Sequence, residues 1–125
     1  MILKTFFTCI IILLAVSCYQ PNRDCRNFKT GEFTFTTIIN GEEKTTTFVR
    51  TDKIEIDYFN GKVDTSSVRW INDCEYIVKK LNPKSMAEEK SIHMKILSTT
   101  ADTYDFEYNV VGDSKKSKGT AIKIN

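Results

Sequence analysis

The sequence predicts an all-β protein: a single antiparallel up-and-down meander of about eight strands, closing as a curled sheet or a small barrel. Three observations carry this. Apolar and polar residues alternate with period two through most of the chain beyond residue 30, as strands with one dry face require. Asn40-Gly41 and Asn60-Gly61 each sit between alternating runs, and both positions of a two-residue hairpin turn want the left-handed backbone that Asn and Gly tolerate. No segment keeps a 3.6-residue period over the length of a stable helix. A small β-sandwich is the competing architecture, but closure removes exposed strand edges.

The first hairpin is "GEFTFTTIINGEEKTTTFVR". Pairing Ile39 with Glu42 across its turn sets Phe33 opposite Phe48 and Phe35 opposite Thr46, so the phenylalanines share a face. The second is "KIEIDYFNGKVDTSSVRW". Its apolar set, Ile54, Ile56 and Tyr58, is expected to point inward, with Glu55, Asp57 and Phe59 outward. The return strand runs through Val63 and Thr65 and on to Val68 and Trp70. "INDC" turns the chain, and "CEYIVKKL" puts Cys74, Tyr76 and Val78 on one side. Pro83 interrupts the pattern in "NPKSMAEEK", which reads as a loop or one helical turn. "SIHMKIL" then points Ile92, Met94 and Ile96 inward, and "TYDFEYNVV" alternates Tyr104, Phe106, Tyr108 and Val110. The basic loop "GDSKKSKG" leads into a last strand, "GTAIKI".

Residues 1–17 read as a lipoprotein signal peptide. Lys4 and the α-amine precede an apolar run from Phe6 to Val16 that is too short to span a bilayer as a helix. Leu14-Ala15-Val16-Ser17-Cys18 resembles the bacterial lipobox, with Ala15 where leucine is usual. Cys18 is therefore the expected lipidation site, Cys9 leaves with the leader, and ordinary secretion or an uncleaved anchor are the alternatives. Residues 18–25 form a lipidated N-terminus and short tether, and 26–125 a single β domain with one modest core. With Cys18 acylated, Cys25 and Cys74 are the remaining sulfurs, and oxidising conditions favour their disulfide over two buried thiols. The bridge would close a loop of about 50 residues, worth about 4 kcal/mol in loop-closure entropy. The six residues between Cys18 and Cys25 reach at most ~25 Å, which holds the domain near its membrane. No acidic residue directly follows Cys18 and there is no acidic cluster behind it, so the expected location is the outer membrane, facing the periplasm.

Formal net charge is +2, falling to +1 once Lys4 leaves with the leader, so nothing demands a polyanionic partner. Basic and aromatic residues do not interleave along one face, and nucleic acid is not an expected partner.

The segments "CRNFKTGEF", "WINDCEY", "NPK", "IHMKIL" and "YDFEY" together resemble a family of short bacterial lipoproteins. The resemblance covers nearly all of the chain after the leader, and its paired motifs surround Cys25 and Cys74. Many members carry the label "DNA topoisomerase IV". That chemistry needs an ATP-binding domain, a cleavage tyrosine backed by arginine and metal-binding carboxylates, and access to chromosomal DNA; a short exported chain supplies none of these. The resemblance implies no catalytic residue and no cofactor. The fold is also similar to lipocalin-like barrels, with Gly31-Glu32-Phe33 opening the first strand and Phe in place of the usual Trp.

Few residues suggest chemistry. His93 lies between Ile92 and Met94 and should face away from the dry side. No Cys-x-x-Cys or His-x-x-x-His spacing suggests a metal, and Ser66 and Ser67 lack a nucleophile motif. Asp52, Glu55, Asp57, Asp102, Asp105 and Glu107 are expected on the solvated face, where paired carboxylates are ordinary. Lys115, Lys116 and Lys118 could meet an anionic surface, or simply keep a loop soluble. The aromatic and apolar set is the strongest lead. Phe33, Phe35, Phe48, Ile54, Ile56, Tyr58, Trp70, Tyr76, Tyr104, Phe106 and Tyr108 either fill the interior or line a cavity for one small apolar or amphipathic ligand. Short strands leave little spare volume, which favours filling. The expected role is a non-enzymatic, lipid-anchored envelope protein. The alternative is a solid-cored interaction protein that contacts envelope proteins or wall polymer.

Overall fold

Both Asn-Gly pairs form the expected left-handed turns in the computed structural model, which describes residues 23–125: φ is 53° at Asn40 and 52° at Asn60, with Gly41 and Gly61 at 79° and 75°. The proposed signal peptide, Cys9, Cys18 and the tether as far as residue 22 lie outside the described residues. Eight strands follow in order: β1 (Gly31–Ile39), β2 (Glu42–Arg50), β3 (Ile54–Phe59), β4 (Lys62–Asn72), β5 (Glu75–Lys80), β6 (Ile92–Thr99), β7 (Thr103–Val110) and β8 (Ser117–Lys123). Each pairs antiparallel with its neighbours in sequence, and β8 returns to β1, so the sheet is a closed barrel.

The first hairpin has the expected register, with Phe33 opposite Phe48 and Phe35 opposite Thr46. Two irregularities bend the wall, between Trp70 and Asn72 on β4 and between Ile96 and Ser98 on β6. The closing seam is short: only Phe33, Thr34 and Phe35 of β1 pair with β8.

The up-and-down order gives the barrel two different ends. The Asn-Gly tips, the 81–91 connection and the 111–116 loop share one end, which is open. A 3-10 turn, Cys25–Phe28, plugs the other. Cys25 is bonded there to Cys74, with Sγ–Sγ 2.05 Å and Cα–Cα 5.2 Å. The Asp24 amide donates to Thr99 Oγ1, and Arg26 and Lys29 both reach the Asp73 carboxylate at 3.1 Å. The two cations hold the Asp73 carboxyl below its ordinary pKa, chiefly through these hydrogen bonds.

Above the plug lies the dry core. Phe28, Phe33, Tyr76, Ile96, Tyr104 and Ala121 are fully buried. Rings pack in close pairs, Phe33 on Phe48 at 5.1 Å and Phe28 on Tyr104 at 5.2 Å.

The β3 assignment is corrected. Glu55, Asp57 and Phe59 face the interior, whereas Ile54, Ile56 and Tyr58 face out, Tyr58 being exposed. The cause is register. Arg50 follows Phe48 by two residues and so shares its inward face, and the turn after it pairs Arg50 with Glu55 and Phe48 with Asp57. β3 pairs on with β4, Glu55 opposite Ser66 and Asp57 opposite Asp64, which places Asp64 and Ser66 inside and Val63 and Thr65 outside. A buried arginine needs a carboxylate, and that demand outweighs the apolar alternation of three residues.

Candidate functional site: an interior cavity

The barrel is solid near the plug and hollow towards the open end. The hollow measures about 530 Å³. Its floor is Arg50, delivered by the last position of β2 and almost wholly buried. All three guanidinium nitrogens donate, through four of the five N–H groups. Nε donates to Glu55 Oε1 at 3.1 Å, Nη1 to the Phe28 carbonyl at 2.8 Å, and Nη2 to the hydroxyls of Tyr76 at 2.7 Å and Tyr104 at 2.9 Å. The cation also lies over rings, 4.6 Å from Tyr76, 5.0 Å from Phe33 and 5.4 Å from Phe48. Burial alone would lower the Arg50 pKa, but the two phenol oxygens and the Glu55 carboxylate outweigh it and hold the group charged. Burial pushes the Tyr76 and Tyr104 phenols up, so both stay protonated.

One wall of the cavity is apolar: Phe35, Phe48, Ile92, Met94, Phe106, Tyr108 and Val110. The facing wall is polar: Glu55, Asp57, Asp64, Ser66, Lys80 and, from the 81–91 connection, Glu88 and Lys90. Lys80 Nζ sits 2.6 Å from Glu88 Oε1 and 3.5 Å from Asp64 Oδ2, tying that connection over the mouth. The hydrogen bond from Lys80 lowers the Glu88 pKa, and the same bond raises that of Lys80. Asp57 differs. Burial first, then the charge of neighbouring Glu55, pushes its pKa up to about 7.

Of the residues expected to line a cavity, six do so: Phe35, Phe48, Tyr76, Tyr104, Phe106 and Tyr108. Phe33 and Trp70 belong instead to the packed core beneath, where Trp70 lies 4.4 Å from Tyr76 and its Nε1 is buried without a hydrogen-bond partner among the described residues. Ile54, Ile56 and Tyr58 are on the outer wall. The carboxylates Glu55 and Asp57, expected in solvent, are interior, while Asp105 stays outside, bonded to Ser98 and Thr120. His93 is on the outer wall as expected, with Nε2 3.1 Å from Glu75 Oε1. Lys115, Lys116 and Lys118 are exposed, and Lys116 reaches Glu107 at 3.3 Å. Among the described residues no three His, Cys, Asp or Glu side chains converge as metal ligands.

Alternation within a single strand does not reveal the polar wall, because β3 carries an apolar set on its outer face. One signal in the sequence points to it. Counting back from Trp70 through Val68 without a phase change lands on Ser66 and Asp64, and fixes β3 in the opposite sense to its apolar residues. Comparison with protein-family models, curated proteins and solved structures found no match.

Proposed function

We propose that this chain is a lipid-anchored envelope protein that binds one small amphipathic molecule inside its barrel. A single observation carries the binding part: a hollow of about 530 Å³ with an apolar wall facing a polar one. That volume lies within the range of small-molecule sites. It also tells against the solid-cored alternative, which leaves such a space unexplained. The anchor rests on the lipobox-like segment ending at Cys18 and on the resemblance to short lipoproteins. Charges such as Arg69, Glu75, Lys79 and Lys95 on the outer wall are at odds with a lipid-embedded barrel, whose outer band is apolar.

On this reading the anchor at Cys18 lies a few residues before the plug, and the mouth, at the other end of the barrel, would open away from the membrane that holds the lipid. The ligand is then exchanged with the aqueous compartment rather than drawn from the anchoring bilayer. Asp57, beside Glu55 on the inward face of β3, is the feature among the described residues that favours a catalyst instead, because burial and the Glu55 charge push its carboxyl up into the range of a general acid. Glu55, however, is already committed to Arg50.

Two measurements on the exported full chain test the proposal. Palmitate labelling should be present in the parent and lost in Cys18→Ser. Native mass spectrometry of that soluble variant should show one co-purified small molecule, lost when Met94→Trp fills the cavity. Label that persists without Cys18 removes the anchor. A ligand-free mass, together with no uptake of apolar dyes, removes the binding role.

A further inference from the structure

We infer that the cavity selects amphiphiles with a cationic head, the tail lying along Phe35, Phe106 and Tyr108 and a protonated amine meeting the carboxylates of Asp57 and Asp64. This rests on the binding role proposed above and names the class of ligand.

The argument is one of unspent charge. The lining sets four carboxylates, Glu55, Asp57, Asp64 and Glu88, against three cations, Arg50, Lys80 and Lys90, and of those cations only Lys90, exposed on the 81–91 connection, stands outside an ion pair among the described residues. Arg50 is buried against Glu55, with four of its five N–H groups donated to Glu55, the Phe28 carbonyl and two tyrosine hydroxyls. Lys80 is held between Glu88 and Asp64. Asp57 has no ion-pair partner among the described residues, and β-register sets it directly opposite Asp64. Two carboxylates facing one another in a half-buried space repel, and a ligand ammonium between them relieves both. Phe35, Phe106 and Tyr108 line the same space on the facing wall, where they offer the tail an apolar surface.

A pH dependence follows. The charged groups facing Asp57 are Arg50 from β2, Glu55 from β3 itself, Asp64 from β4, Lys80 from β5, and Glu88 and Lys90 from the connection that covers the mouth. With its pKa near 7, Asp57 is protonated at pH 5.5 and ionised at pH 8.5. Affinity for a permanently protonated amine therefore rises with pH across that window.

Calorimetric titration of the full chain carrying Cys18→Ser with decylamine, decanol and decanoate, below their micelle concentrations, separates the cases. Decylamine should bind at least tenfold more tightly than either other probe at pH 8.5. That preference should shrink severalfold at pH 5.5 and vanish in Asp57→Asn, whose retained decanol binding shows an intact cavity. If Asp57→Asn does not fold, Asp64→Asn serves the same purpose. Decanoate binding as tightly as decylamine overturns the cationic selectivity and leaves the cavity role standing. Failure of all three probes overturns both.

Discussion

Arg50 is the residue on which the interior turns. Its sequence neighbourhood, "TTTFVR", sets it in phase with Phe48, so closing the barrel takes a guanidinium out of water. Desolvation of that kind costs several kcal/mol and is offset only where a countercharge and hydrogen bonds replace the lost water. Here Glu55, Phe28, Tyr76 and Tyr104 accept from four of the five N–H groups, joining β2, β3, β5, β7 and the plug through one group. Arg50→Met should therefore destabilise by about 3–5 kcal/mol, because it leaves the Glu55 carboxylate buried alone. Arg50→Met with Glu55→Leu should recover at least half of the loss. Urea unfolding reads both as shifts in midpoint at constant slope. A single variant as stable as the parent would show that the guanidinium does not hold the floor together.

Strands carry the next scale, and there the seam between β1 and β8 is the point of least redundancy. Gly119 on β8 lies beneath two rings: a Cβ added there would stand 2.6 Å from Phe35 and 2.7 Å from Phe106. Those rings pack on each other at 5.5 Å, so neither moves freely. Gly119→Ala should cost about 1–3 kcal/mol by overpacking, and hydrogen exchange should quicken first along the β1–β8 pairing. A melting temperature equal to the parent's would mean that the rings have more room than their spacing implies. β3 teaches the complementary lesson. Its six residues offer two plausible faces, one with Ile54, Ile56 and Tyr58, the other with Glu55, Asp57 and Phe59. Local alternation selects the first. Register with Arg50 on one side and with an unbroken β4 on the other selects the second. The hairpin that includes Phe33 and Phe48 had no such conflict, so its register was legible from its Asn-Gly turn alone.

For the molecule as a whole, the Cys25–Cys74 bridge ties the N-terminal plug to the β4–β5 turn across 49 residues of sequence. Replacing both cysteines by alanine should lower stability by about 4 kcal/mol in the loop-entropy account. Because Phe28 enters the core with the plug, the same variant should loosen the cavity floor and weaken ligand binding as well as melting. Stability that is unchanged by reduction would show that packing alone seats the plug. The sequence by itself determined the strand order, the tight hairpins and the pair of sulfurs, because period-two alternation, Asn-Gly turns and cysteine number act over short stretches of chain. That β3 turns its carboxylates inward, and that a cavity of about 530 Å³ remains above the core, follows from closure of the barrel. Inside and outside exist for a strand only after its neighbours close around it, and a hollow is the volume that no single segment encodes.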